Sequence, residues 1–200
     1  MKQLKFNFIA ILVISFSGCF QLTPIEQNVV VDEKRFSELI ANGIRYLDEY
    51  DKGDAQALLR SKSSFSIARD LKPSSPLAFD GLGSVAFRQA DYRLAQFLFE
   101  KSIEKDEGYG RAKANLAAVH YREGRYAIAE KLLRRAVKLN ALDHRAVNNL
   151  SSLLYNTSAS QSAKRQEGEL GFYKAREIAK QKSVLIEENI KVVSGDGFSR

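Results

Sequence analysis

Cysteine occurs once in this 200-residue sequence, at position 19, and tryptophan not at all. One cysteine excludes an intramolecular disulfide. With only two histidines, His120 and His144, at no ligand spacing, the chain offers no metal site. No serine stands in a nucleophile elbow, and no glycine-rich loop precedes a lysine, so neither acyl-transfer nor phosphate-cradling chemistry is advertised. Acidic residues are plentiful but fall at helix-surface spacing: Glu100 and Glu104 beside Lys101 and Lys105 read as exposed pairs. These absences argue against an enzyme and against a bound cofactor, metal or small-molecule substrate. No nucleic-acid motif is visible either. The apolar stretch FIAILVISF, residues 8–16, falls well short of the roughly 20 residues that span a bilayer.

That stretch has a different meaning in its context. Lys2 and Lys5 precede it and small residues follow, the charged, apolar and small-residue order of a secretory signal. The four residues from the end of that stretch, Phe16-Ser17-Gly18-Cys19, resemble a bacterial lipobox, although leucine is usual where Phe16 stands. The resemblance implies a signal peptide over residues 1–18, cleaved before Cys19, and a lipidated Cys19 as the membrane anchor. Each buried methylene adds about 0.8 kcal/mol and stable anchoring takes more than one acyl chain, which the lipids of such proteins supply. Phe20 stands where aspartate would imply retention at an inner membrane, so the resemblance implies an outer-membrane location facing the periplasm. Losing Lys2 and Lys5 leaves 29 basic against 24 acidic residues, a formal charge of +5.

Downstream, the sequence repeats. Residues 76–109 and 110–143, each 34 long, align without a gap. Leu82 falls on Leu116, Gly83 on Ala117, Phe87 on Tyr121, Ala90 on Gly124, Tyr92 on Tyr126, Ala95 on Ala129, and Phe99 on Leu133. Period and residue order resemble the tetratricopeptide repeat. Small residues at Gly83/Ala117 and Ala95/Ala129 let two antiparallel helices approach, and the large residues fill the space around them. QAD (89–91) and EGR (123–125) turn the chain between the helices. A third copy starts at His144 and is interrupted at 157–169, a polar, small-residue stretch read as an inserted loop of about 12 residues. The second helix then resumes with Phe172, Ala175 and Ala179. A degenerate hairpin precedes the clear copies, with Phe36, Ile40, Ile44 and Leu47 at helical spacing before DKGD, and Phe65 and Ala68 after it.

The expected fold is all-α: a right-handed α-solenoid of three to four hairpins, following the cleaved lipoprotein signal. The expected layout is a tether over 19–33, a helical array over 34–190 and a disordered tail over 191–200. The resemblance also implies that the second, sixth, ninth and thirteenth residues of each copy line a concave groove. These are Leu77, Gly81, Ser84 and Arg88, then Arg111, Asn115, Ala118 and Arg122, then Arg145, Asn149, Ser152 and Asn156. Arg88, Arg111, Asn115, Arg122, Arg145 and Asn149 are the candidate binding residues. Asparagine both donates to and accepts from a peptide backbone, and arginine grips a carboxylate through two donors. The family implies a scaffold or adaptor that binds proteins or peptides of the envelope, as lipoproteins of this build do in type IV pilus assembly or with cell-wall hydrolases. The alternative is a cell-wall or anionic-polysaccharide binder that uses the same arginines.

Overall fold

The computed structural model describes residues 24–159 and 161–193, with side chains from 32 to 183 apart from residue 160. The signal peptide, Cys19 and residues 194–200 lie outside the described residues. Within them the chain forms eight helices: α1 (Pro24–Asp51), α2 (Ala57–Leu71), α3 (Pro76–Arg88), α4 (Tyr92–Lys105), α5 (Gly110–Arg122), α6 (Tyr126–Leu139), α7 (His144–Thr157) and α8 (Ala163–Val193). The stretch expected as a tether is thus helical from Pro24 onward.

Local chemistry sets the helix starts. Ser75 caps α3 ahead of Pro76, whose missing N–H is not needed in a first turn. Asp91 caps α4 by accepting from Leu94 N at 3.0 Å, and Asp143 caps α7 by accepting from Arg145 N at 3.0 Å and Ala146 N at 3.3 Å. Both tight turns need a left-handed residue, which is Gly124 in one copy and Ala90 (φ 58°) in the other.

Helices pair in order as α1/α2, α3/α4, α5/α6 and α7/α8, and each hairpin stacks on the next. The first helices of successive hairpins also pack backbone to backbone, α1 with α3, α3 with α5 and α5 with α7, whereas the second helices stand further apart. The odd-numbered helices therefore form the inner, concave layer of a solenoid. One hairpin cannot bury its own apolar face, so the core runs on from hairpin to hairpin. Phe65, Leu82, Phe99 and Val119 belong to one stretch of it, and Leu133 and Leu154 to the next. A β-carbon at Gly83 would lie 2.6 Å from the Phe99 ring, which is why the smallest residue stands there. Phe87–Tyr92, Tyr121–Tyr126 and Tyr155–Phe172 are the same aromatic contact made three times, with ring centroids 5.4–5.9 Å apart.

The 157–169 stretch differs from its expectation as a loop. Only residues 158–162 separate α7 from α8, and Ala163 to Glu169 are the opening turns of α8. Small residues here serve contact between helices. A β-carbon at Gly168 would lie 2.9 Å from the Ser151 carbonyl oxygen. Arg165 donates to the Tyr155 carbonyl at 2.9 Å with its guanidinium 3.7 Å from the Tyr155 ring centroid. Arg134 of α6 reaches Glu167 at 2.7 and 2.9 Å, and Lys164 reaches Glu130 at 2.8 Å, so these polar residues bind the start of α8 to α6.

Candidate functional site

The inner helices enclose a cleft of about 460 Å³, bounded by α1, α3, α5 and α7. Arg88, Arg111, Asn115, Arg145 and Asn149 all line it. An adjoining cavity of about 390 Å³ shares Ala114 and Asn149 with the cleft and adds Phe87, Tyr121, Leu133 and Arg122. All six candidate residues thus stand on the concave side. Gly81, expected in the groove, is instead buried beneath Phe65, whose ring a β-carbon at position 81 would strike. The degenerate first hairpin reaches over that position.

Three of the six residues are already engaged inside the molecule. Asp80, on α3, is fully buried. Its Oδ2 accepts from Arg111 Nε at 2.7 Å and from the Tyr109 hydroxyl at 3.3 Å, and its Oδ1 accepts from Asn115 Nδ2 at 2.7 Å. Burial works against the Arg111 charge, but the Asp80 carboxylate outweighs it and raises the pKa. Burial and that same carboxylate push the Tyr109 hydroxyl up, so Tyr109 stays a donor. A buried charge needs such a full set of partners. Asp80 did not stand out in the sequence because its place in the next copy is Ala114. The available signal was a lone acid inside the otherwise apolar PLAFDGLGSVAF. The third engaged residue is Arg88, whose Nε donates to Asp51 Oδ1 at 2.8 Å and whose Nη2 donates to Oδ2. Hydrogen bonding from Arg88 holds the Asp51 carboxyl below its ordinary range against a smaller opposing effect of burial.

Arg122, Arg145 and Asn149 are different. Arg122 stands 6.0 Å from the Phe87 ring centroid. Among the described residues, neither Arg122 nor Arg145 has a carboxylate within ion-pair distance, and Asn149 makes no side-chain hydrogen bond. Arg145 and Asn149 are exposed on α7.

The chain matches the Tetratricopeptide repeat family over residues 86–154. The match covers about a third of the chain, and the helical array is tetratricopeptide-like in fold. No curated protein matches the sequence. Among solved structures, the array resembles PilF of Pseudomonas aeruginosa at 20% identity over 80% of this chain and 72% of that one, with a TM-score of 0.60. It resembles MamA from Desulfovibrio magneticus at 18% identity over 74% and 78%, with a TM-score of 0.52. It also resembles the first tetratricopeptide domain of Spaghetti (RPAP3), solved bound to the HSP90 peptide SRMEEVD, at 16% identity over 63% and 95%, with a TM-score of 0.52. These likenesses are of fold. A tetratricopeptide array is a scaffold for protein–protein interaction.

Among the described residues, no three His, Cys, Asp or Glu side chains gather as metal ligands would, and no helix is long and apolar enough to cross a membrane. His120 is a packing residue of the array, 6% exposed, with Nδ1 unpartnered. Burial lowers its pKa and Arg125 adds to the shift, while Glu100 opposes it. The folded state therefore takes up this proton at lower pH than the unfolded chain. The stability it contributes is full above the unfolded value near 6.5 and is lost as pH falls through the folded one. Urea midpoints at pH 7.5 and 5.5 should fall further for the native protein than for His120→Tyr; parallel losses would remove His120 as the cause.

Proposed function

We propose that the chain is a lipid-anchored adaptor of the bacterial envelope that captures a segment of a partner protein on its concave face. The observation that carries this reading is the cleft itself, in which Arg145, Asn149 and nearby Arg122 are exposed and, among the described residues, have no ion-pair or side-chain hydrogen-bond partner. The Spaghetti domain, solved with a peptide bound, supports a peptide ligand for a fold of this kind. PilF is a relative in fold, in keeping with a role in type IV pilus assembly. Anchoring through Cys19 at the outer membrane completes the reading, and Cys19→Ala is expected to release the protein from membranes or leave its precursor uncleaved.

The polysaccharide reading is weaker on charge. It draws on Arg88, Arg111, Arg122 and Arg145, and two of those are neutralised by Asp51 and Asp80. The test is a crosslinked pull-down from intact cells, comparing the native protein with Arg122→Ala/Arg145→Ala/Asn149→Ala. This variant spares Arg111 and Asn115, which hold Asp80. A defined set of envelope proteins lost with the variant supports the adaptor; an unchanged set moves the working surface away from the groove. Salt-sensitive retention of the native protein on purified sacculi, lost in the variant, would favour the polymer instead.

A further inference from the structure

Away from the cleft, the outer face of α6 carries charge of one sign. Lys131, Arg135 and Lys138 follow one another at i, i+4 and i+7 and are exposed. Among the described residues, none of the three has a carboxylate within ion-pair distance or makes a side-chain hydrogen bond. Glu130, the sole acid of the helix, is already shared by Arg134 and Lys164. Lys131 and Arg135 are a like-charge pair one turn apart, which costs a helix stability until something negative lies over it. With Arg134 and Lys138 they border a shallow hollow of about 440 Å³. The neighbouring outer helix, α4, adds apolar side chains. The 34-residue repeat places Phe97 where Lys131 stands and Leu94 where Ile128 stands, so each pair shares its register on the outer layer. Phe97 is 53% exposed, Ile128 45% and Leu94 40%. Arg125, at the head of α6, donates to Gln96 Oε1 at 3.0 Å and ties the two helices together there.

We propose that the outer faces of α4 and α6 form a docking surface for an anionic phospholipid bilayer. Phe97 and Ile128 enter the headgroup layer, and Lys131, Arg135 and Lys138 lie over lipid phosphates. Exposed apolar side chains beside a cluster of cations are the combination that adsorbs at such an interface. Cations near an anionic membrane add their attraction without needing one fixed geometry, which suits side chains that no internal bond holds. The acids of α4 oppose this little: Glu104 is held by Lys101 at 2.6 Å, and Glu100 accepts from Gln96 at 2.8 Å. The choice of a membrane as occupant rests on Cys19 being a lipid anchor. Five residue steps separate Cys19 from Pro24, a reach of at most about 18 Å, so an anchored array stays close to lipid. The cleft lies on the other layer, among the odd-numbered helices. An array resting on its outer face would therefore hold the cleft open to a partner.

The test uses residues 19–200 with Cys19→Ser, so that binding owes nothing to acylation; removing residues 1–18 takes nothing from the eight helices. This protein should float with vesicles of phosphatidylcholine and phosphatidylglycerol, and not with phosphatidylcholine alone. Lys131→Gln/Arg135→Gln should weaken that binding about thirtyfold, the summed effect of two surface cations. Arg35→Gln/Lys182→Gln, which removes two exposed cations from α1 and α8, should bind nearly as well as the parent. The chain has no tryptophan, so Phe97→Trp supplies a single emitter. Its emission should shift to the blue on anionic vesicles and be quenched by brominated acyl chains. Ile44→Trp, placed in the inner cleft, should show neither change. Equal binding to neutral vesicles, equal losses in the two charge variants, or an unmoved Phe97→Trp emission would overturn the proposal. So would displacement by soluble glycerophosphate at constant ionic strength, which would mark a phosphate site, or retention on an acidic protein without vesicle binding. The anchor is tested apart, by washing membranes of Cys19→Ala cells in high salt, which lifts a protein held by charge alone. If vesicles are not bound but Cys19→Ala is released, the anchor stands and only the outer face is lost. If vesicles are bound but Cys19→Ala resists the wash as the native protein does, the anchor reading falls and the face stands.

Discussion

Arg111→Ala is expected to destabilise the array by about 3 kcal/mol, the low end of the range for removing one partner of a buried ion pair. The cost comes from the group left behind. Asp80 is fully buried, so water cannot replace the guanidinium it loses. Asn115 and Tyr109 still donate to it, and the Arg111 side chain is itself 36% exposed, which keeps the loss near the lower bound. In a chain of this length, that should lower the melting temperature by roughly 6–12 °C. Asp80→Asn added to Arg111→Ala should restore part of the loss, because the buried charge goes with the residue that needed it. Urea unfolding of the three variants checks this. An Arg111→Ala protein within about 0.5 kcal/mol of the native one, the range of an ordinary surface substitution, would show that the contact has no structural weight.

Phe65→Ala should cost about 3–5 kcal/mol, as large aromatic deletions in a core do. The ring is fully buried where α2 meets both α1 and α3. It fits only because Gly43 and Gly81 face it: a β-carbon at Gly43 would lie 2.6 Å from ring atoms, and one at Gly81 would collide with them as well. Gly81→Ala alone should therefore destabilise by about 1–3 kcal/mol through overpacking. The two changes are not independent, since the added methyl enters space that the deleted ring vacates. The double variant should cost clearly less than the two single costs together. Strict additivity would mean that the ring and Gly81 are not in contact.

These two sites also mark where the sequence could and could not be read. Helix pairing was legible because its determinants are local and recur every 34 residues: the turns at 89–91 and 123–125, the small residues Gly83, Ala95, Ala117 and Ala129, and the large ones between them. Asp80 was not, because its partners lie 29 to 35 residues away and a polar residue means little until what faces it is known. Gly81 followed the groove pattern by position, but the degenerate first hairpin brought Phe65 down over it. The 157–169 stretch misled through composition. Glycine and short polar residues punctuate loops, yet Gly168 and Arg165 here press one helix against another. For the groove, position gave the register of the inner-helix side chains but included Leu77 and Gly81, which pack into the core instead. It did not separate Arg111 and Asn115, already committed to Asp80, from Arg145 and Asn149, which are not.

The unequal contacts of the two layers have a mechanical consequence. Odd-numbered helices pack directly on the next odd-numbered helix, while the contacts between α6 and α8 are long polar side chains, Arg134 to Glu167 and Lys164 to Glu130. An array built this way flexes as a leaf spring whose neutral axis lies along the inner layer. Bending spreads or closes the outer helices, and the row formed by α1, α3, α5 and α7 keeps its spacing. A partner lying along that row would meet the same separation between inner helices whatever the curvature, so bending would change the shape of the array without changing its grip.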